Sequence, residues 1–261
     1  MTTLEAHGLT LAYDKRVISS DLTAHVPAGS FTAIIGPNAC GKSTLLRAMA
    51  RLLKPRDGSV LLDGRDIAER NPKELARELG LLPQTSLAPD GIRVADLVAR
   101  GRFPHQRVFD RWSPEDEAAV LRAMTATDIL DLSGRLVDEL SGGQRQRVWV
   151  AMALAQETGT LLLDEPTTFL DIAHQIDVLE LFRRINEADG RTLVAVLHDL
   201  NQAARYATHI IAMKDGRVVA SGAPSDVITP AIVEDVFDVP CRVIDDPESH
   251  TPLVIPLLRR S

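Results

Sequence analysis

The sequence predicts an α/β fold with an N-terminal antiparallel β subdomain and an inserted α-helical subdomain. Short apolar runs rich in β-branched residues alternate with capped helical stretches, the pattern of a buried, largely parallel sheet. Residues 86–158, by contrast, carry helical periodicity and no convincing strand. Taken in order, the first thirty residues read as short antiparallel strands, with Tyr13 closing LTLAY. FTAII (31–35), TLLLDE (160–165), TLVAVL (192–197) and HIIAM (209–213) read as buried strands. Asn71-Pro72, Ser113-Pro114 and Thr229-Pro230 each put a side-chain acceptor at an N-cap and Pro in the first turn, where its missing N–H costs nothing. Helical stretches are expected at Val94–Arg100, Ser113–Ala126 and Gln144–Gln156, the last with Val148, Ala151, Met152 and Ala155 on one face. From Asp171, the residues Ile172, Ile176, Leu179, Phe182 and Ile185 share a helical face, and Gly190 is placed to end that helix. The tail from Cys241, with RVIDDP and LVIP, suggests a hairpin. The expected division is one domain over 1–261: a core from 1–85 and 159–240, a helical subdomain at 86–158 and a tail at 241–261.

Composition narrows the class of function. The 261 residues include 29 basic and 36 acidic side chains, a formal charge of -7, which disfavours nucleic acid as the main partner. Apolar residues make up 45% and charged residues 25%, ordinary for a soluble globular protein. Cys40 and Cys241 are the two cysteines, so no disulfide framework is expected and a reducing compartment suits the chain. The apolar run VWVAMALA (148–155) falls far short of the ~18 residues of a membrane span, and the N-terminus lacks the apolar region of a secretion signal. The expectation is a soluble intracellular protein that reaches a membrane only through a partner.

Three motifs carry chemistry. Gly36-Pro37-Asn38-Ala39-Cys40-Gly41-Lys42-Ser43-Thr44 follows a strand and opens an apolar helix, the context required of a phosphate-binding loop. Low side-chain bulk lets backbone N–H groups converge on anionic oxygens, and the helix N-terminus adds partial positive charge. Lys42 would reach the β- and γ-phosphates and the Ser43 hydroxyl would ligate Mg²⁺. Leu161-Leu162-Leu163-Asp164-Glu165 is a buried strand ending in two acids. Alternation lets one carboxylate face a metal and the other a water; taken alone, such acids more often belong to a solvated loop. Leu140-Ser141-Gly142-Gly143-Gln144 opens a helix and reads either as a plain N-cap or as a second anion site, one shared between two chains.

These residues, in this order, resemble the ABC (ATP-binding cassette) ATPases, a P-loop NTPase family, along essentially the whole chain. Walker A corresponds to 36–44, the signature to 140–144 and Walker B to 161–165. Gln84 stands at the Q-loop, Phe169-Leu170-Asp171 at the D-loop and His198 at the switch histidine. The resemblance implies ATP and Mg²⁺ as ligands. Tyr13 would stack on adenine, and residues 36–44 would hold the phosphates. Ser43, Gln84 and Asp164 would hold the metal, Glu165 would polarise the attacking water, and His198 would touch the γ-phosphate. Ser141, Gly142, Gly143, Gln144 and Asp171 would act in trans on the nucleotide of a second copy. Ala39 stands where the family usually has Gly, which is tolerable only at negative φ, and Cys40 is expected to be open to alkylation. The other histidines, at 7, 25, 105, 174, 209 and 250, lack paired ligand spacing and read as surface or core residues.

The strings ARGRFPHQ (99–106), TFLDIAHQIDVLELF (168–182) and VLHDLNQAARYATHIIAMKDGRVVASG (196–222) resemble the ATPase subunits of bacterial iron(III)–siderophore importers of the ferric-hydroxamate and ferric-enterobactin type. That likeness implies a homodimer, permease subunits, an extracytoplasmic binding protein acting indirectly, and a peripheral place on the cytoplasmic face of the inner membrane. A vitamin B12 or haem importer ATPase, and a soluble ABC ATPase of iron–sulfur cluster assembly, are the alternatives.

Overall fold

A computed structural model describes residues 3–84, 88–106, 112–168 and 170–257. In chain order the elements are β1 (Leu4–Tyr13), β2 (Arg16–Val26), β3 (Phe31–Ile35), α1 (Lys42–Met49), β4 (Asp57–Leu62), β5 (Arg65–Asp66), α2 (Pro72–Leu75), β6 (Leu79–Leu82), α3 (Val94–Ala99), α4 (Pro114–Ala126), α5 (Gly142–Ala155) and β7 (Thr160–Leu163). There follow α6 (Ile172–Asp189), β8 (Thr192–Val196), α7 (Leu200–Tyr206), β9 (His209–Lys214), β10 (Arg217–Gly222), α8 (Pro224–Val227), α9 (Pro230–Phe237), β11 (Cys241–Asp245) and β12 (Pro252–Pro256). Phe169, the first residue of the expected D-loop, lies outside the described residues. The chain divides into two compact units, residues 1–69 with 186–261 and residues 70–185. The cuts at 69/70 and 185/186 carry β6 and β7 with the helical segments, whereas the sequence suggested divisions at 85/86 and 158/159.

In the first unit β1 pairs antiparallel with β2 and β4, and β5 extends that sheet. A second sheet runs β10-β9-β3-β8, with β3 parallel to both β8 and β9. FTAII and TLVAV are buried at every position, as strands covered on both faces must be, while the outer strand β10 alternates between exposed and half-buried. Phe31, Ile34, Leu45, Leu46 and Met49 are among its fully buried side chains, each stabilising by about 1.5–3 kcal/mol. The expected hairpin is present as β11 and β12, in antiparallel register. Gly190, at φ 63, donates its N–H to Asn186 O at 2.9 Å and ends α6 as expected.

In the second unit β6 and β7 run parallel, pairing Leu82 with Leu163. Among the described residues of 86–158 the only β pairing is an isolated bridge between Arg93 and Leu136. Ser113 and Asp116 form a reciprocal cap on α4, and Asn71 caps α2 through the Lys73 N–H. Helix α5 is buried nearly all round from Val148 to Ala155, with Met152 half-buried, so its apolar residues form more than one face. The stripe expected on α6 holds from Leu179 onward, but Ile172 is 73% exposed and Ile176 is also exposed. Periodicity identifies a helix face; it does not say at which turn cover begins.

Candidate nucleotide-binding site

The phosphate-loop residues belong to the first unit. Strand β3 ends at Ile35, and the chain turns through Gly36 at φ 152, where an added Cβ would stand 2.7 Å from Cys40 Sγ and collide with the Met213 carbonyl. Gly41 at φ 105 then opens α1. Lys42 is only 5% exposed, and its ammonium donates to the carbonyls of Gly36 at 2.8 Å and Pro37 at 2.9 Å, curling the loop around itself. The loop is braced from behind. Gly216 donates its N–H to Cys40 O at 2.9 Å, and a Cβ on Gly216 would collide with the Ile18 carbonyl. Thr44 is buried, Ser43 half-buried, and Asn38 and Ala39 face outward.

Two expectations in this loop are corrected. Ala39 sits at φ 62, in the left-handed region, not at negative φ. That conformation costs an L-residue roughly 1–2 kcal/mol; the outward-facing methyl leaves the loop path, pinned at Gly36, Gly41 and Gly216, unchanged. Cys40 is buried, and burial outweighs the nearby Lys42 in raising its thiol pKa, so the thiol is shielded from reagents.

The remaining residues of this unit follow from strand register. Strands β3 and β8 run parallel with Ile34 opposite Val196, so His198 leaves its strand level with Gly36 and is exposed. Asp199 beside it caps α7 through the N–H groups of Asn201 and Gln202. Tyr13, 41% exposed, ends β1, and its hydroxyl accepts from Arg47 of α1 at 3.4 Å. Arg47 is a neighbour that sequence reasoning missed; its place one turn from the loop was the available signal.

In the second unit the register of β6 and β7 brings out Gln84 and Glu165 side by side, two residues beyond the paired Leu82 and Leu163. Gln84 Nε2 donates to Glu165 Oε2 at 2.6 Å, and the Thr168 hydroxyl donates to the same oxygen at 3.0 Å. Glu165 has φ 52, so the chain bends at once after the strand. Asp164 thereby stays 3% exposed while the Glu165 carboxylate comes partly into the open. Thr168 was not foreseen, although a hydroxyl three residues beyond an acid at a bend is a natural partner for it.

Ser141 caps α5 reciprocally: its hydroxyl accepts from Gln144 N at 3.3 Å, and Gln144 Oε1 accepts from Ser141 N at 3.1 Å. Gly142 has open space where a side chain would be. Gly143 does not, since an added Cβ would stand 2.8 Å from His174 Nε2. His174 in turn meets Asp171 Oδ1 with Nδ1 at 2.7 Å and with its backbone N–H at 3.0 Å. These contacts, the backbone one foremost, hold the Asp171 carboxyl below its usual pKa. His174, read from sequence as structural, therefore links the signature to the D-loop within one chain. The spacing Asp-x-x-His at a helix start was the signal.

Comparison with known proteins gives the family. The family model described as "ABC transporter" matches residues 19–168. The ferric enterobactin transport ATP-binding protein FepC of Escherichia coli (strain K12) is 56% identical over 256 residues, covering 98% of this chain and 94% of that protein. The probable siderophore transport system ATP-binding protein YusV of Bacillus subtilis (strain 168) is 54% identical, covering 98% and 93%. Among solved structures, a putative metal-chelate type ABC transporter in an inward-facing conformation superposes with TM-score 0.85 at 27% identity, covering 99% of each chain. With the phosphate loop, the paired acids and the capped signature helix all in their strands and helices, the chain belongs to the ABC transporter family of ATP-binding proteins.

Proposed function

We propose that this protein is the ATP-hydrolysing subunit of an importer for iron(III)–siderophore complexes, working as a homodimer beneath a membrane permease. The observation that carries the nucleotide reading is the buried Lys42, whose ammonium serves the loop with two donors and has a third for a phosphate oxygen. The cargo reading rests on relatives above half identity along nearly the whole chain whose names specify ferric enterobactin and siderophore transport.

Residues 36–44 bind the phosphates and Tyr13 stacks on the adenine. Mg²⁺ suits the donor set, because the Ser43 hydroxyl, the Asp164 carboxylate and the Gln84 amide oxygen are hard oxygen donors; when bound, the ion screens the phosphate charge. Glu165, oriented by Gln84 and Thr168, takes the proton of the attacking water, and His198 contacts the γ-phosphate. In the second copy Ser141, Gly142, Gly143, Gln144 and Asp171 close over the same nucleotide, so ATP joins the two chains and its hydrolysis releases them. On this reading the chain is a peripheral subunit on the cytoplasmic face of the inner membrane, as an ATP-binding subunit of an importer requires; no helix among the described residues is long and apolar enough to cross a membrane. The permease docks at a groove of about 670 Å³ on the helical unit, lined by Ala99, Phe103, Pro104 and Trp112 among others. Phe103 is 73% and Trp112 44% exposed there, with Lys73 Nζ 5.9 Å from the Phe103 ring centre, so two aromatics in one groove are open to a protein partner. An extracytoplasmic binding protein delivers cargo to the permease without touching this chain.

The test is to tag the protein in its own cells, solubilise the membranes mildly and identify what co-purifies. Recovery of a polytopic permease is the expected result. Recovery with cytosolic partners alone would move the assignment to a scaffold-bound ATPase of iron–sulfur assembly.

A further inference from the structure

The segment lining the docking groove is gripped from two sides by side chains that the chemistry above does not use. At Gly101 the backbone lies so close to α5 that an added Cβ would collide with the Met152 carbonyl and stand 3.0 Å from Ala155 Cβ. The next residue, Arg102, is 5% exposed. Its Nε donates to Asp116 Oδ1 at 2.9 Å, and its Nη1 donates to the Ala155 carbonyl at 2.8 Å and to Glu157 Oε2 at 2.9 Å. Asp116 belongs to the reciprocal cap that starts α4, and Ala155 is the last residue of α5, where helix carbonyls concentrate negative charge. His105 adds a contact to Gln156 O at 2.7 Å. From the other side, Arg77 donates to the Pro104 carbonyl at 2.8 Å and Lys73 reaches the Gln106 carbonyl. Lys73 belongs to α2, which leads into β6 and so toward Gln84.

A buried guanidinium facing two carboxylates is weak evidence for stability, since desolvation consumes most of the attraction and apolar packing would serve as well. What the planar fork supplies, and an apolar side chain lacks, is direction: it fixes the angle between the elements it joins. We propose that Arg102 is a positioning residue that transmits permease movement to the ATP site. Load applied at Phe103 passes through Arg102 to the C-terminal end of α5, a 14-residue helix about 21 Å long. The opposite end of that helix is the signature, Ser141 to Gln144. This inference rests on the transport reading given above.

The test uses the complex of this chain with its permease, comparing the parent with Arg102→Gln and Arg102→Lys. Permease recovery, KM for ATP, and kcat with and without cargo-loaded binding protein are measured. In Arg102→Gln the cargo-stimulated kcat is expected to fall about tenfold, while permease recovery, KM and unstimulated kcat stay within about twofold. Arg102→Lys, which keeps the charge and loses the fork, is expected to recover only part of the stimulation. Parent-level stimulation in an intact complex overturns the proposal, and so does an equal loss of stimulated and unstimulated kcat, which is the mark of a merely structural role. Should Arg102→Gln fail to fold, Asp116→Asn removes one ionic partner and is read by the same criteria. Failure of the parent itself to bring down any permease would instead overturn the transport reading, and the role of Arg102 with it.

Discussion

Gly142→Ala and Gly143→Ala separate folding from nucleotide contact, because adjacent glycines meet different surroundings. A methyl at Gly143 would stand 2.8 Å from His174 Nε2, where ordinary contact begins near 3.4 Å. The ring is held by its contact with Asp171, so relief requires either tilting it away or shifting the first turn of α5. Overpacking of this kind costs about 1–3 kcal/mol, and replacing a helical Gly by Ala returns up to about 1 kcal/mol. Gly143→Ala is therefore expected to destabilise the chain by about 1–2 kcal/mol, lowering Tm by roughly 2–8 °C for a protein of this size. At Gly142 nothing lies within 4 Å, so only the helix gain remains, and Tm is expected to rise by about 1–3 °C. Function reverses that order of tolerance. On the proposed function the open space at Gly142 takes the partner chain's nucleotide, so Gly142→Ala is expected to cut permease-bound ATPase by about tenfold or more despite the better fold. Thermal unfolding of the purified chain and ATPase of the complex provide the two readings. Parent-level ATPase in Gly142→Ala would refute the assignment of that space to a nucleotide. An unchanged Tm in Gly143→Ala would refute the contact with His174.

Other substitutions probe the remaining groups. Glu165→Gln is expected to bind ATP and trap the closed dimer, with turnover down about a hundredfold or more, visible as an ATP-dependent dimer by size-exclusion chromatography; hydrolysis at the parent rate would sink the general-base role. Lys42→Met is expected to lose nucleotide binding by equilibrium titration and to lower Tm as well, since the Gly36 and Pro37 carbonyls lose their buried donor. His209 has its pKa lowered from 6.5 by burial and by the nearby His25. The unfolded chain therefore binds the proton more readily, so stability should decline as pH falls below about 6.5. His209→Gln should flatten that part of a Tm-versus-pH curve; an unchanged slope would remove His209 as its source. Cys40 should react with a thiol reagent at least about tenfold more slowly in the folded protein than in denaturant, with or without ATP; rapid labelling that ATP blocks would place the thiol in the open after all.

The motifs and their order were legible because each is a local device: a loop at a strand end, acids closing a buried strand, a capped helix start. The strands FTAII, TLLL and TLVAV were legible from unbroken apolar runs. Short elements without a side-chain cap were not. Two-residue β5 and four-residue α8 owe their existence to neighbours, not to their own pattern. Ala39 was misjudged because φ in a loop is dictated by what pins its ends, here Gly36, Gly41 and the turn at Gly216. Cys40 was misjudged because exposure within a short loop depends on strands far away in sequence. Ile172 and Ile176 show the same limit on a helix. His174 reads from sequence as a surface or core residue because, although Asp171 is one turn away, Gly143 lies on a distant stretch of chain that only folding brings to the ring.

The brace behind the phosphate loop has a consequence for the order in which the protein becomes competent during synthesis. Cys40 O is held by the N–H of Gly216, in the turn between β9 and β10, and Ile18 packs against both glycines: a methyl on Gly216 would collide with its carbonyl, and one on Gly41 would stand 3.3 Å from its Cγ2. A nascent chain that has emerged only through α7 carries every residue that would touch the phosphates in cis, yet lacks the turn that sets their loop. Affinity for ATP should therefore arrive abruptly and late, when residue 216 reaches its place. Until then the ribosome-bound chain would neither draw on the cell's ATP nor pair with a finished copy through a shared nucleotide.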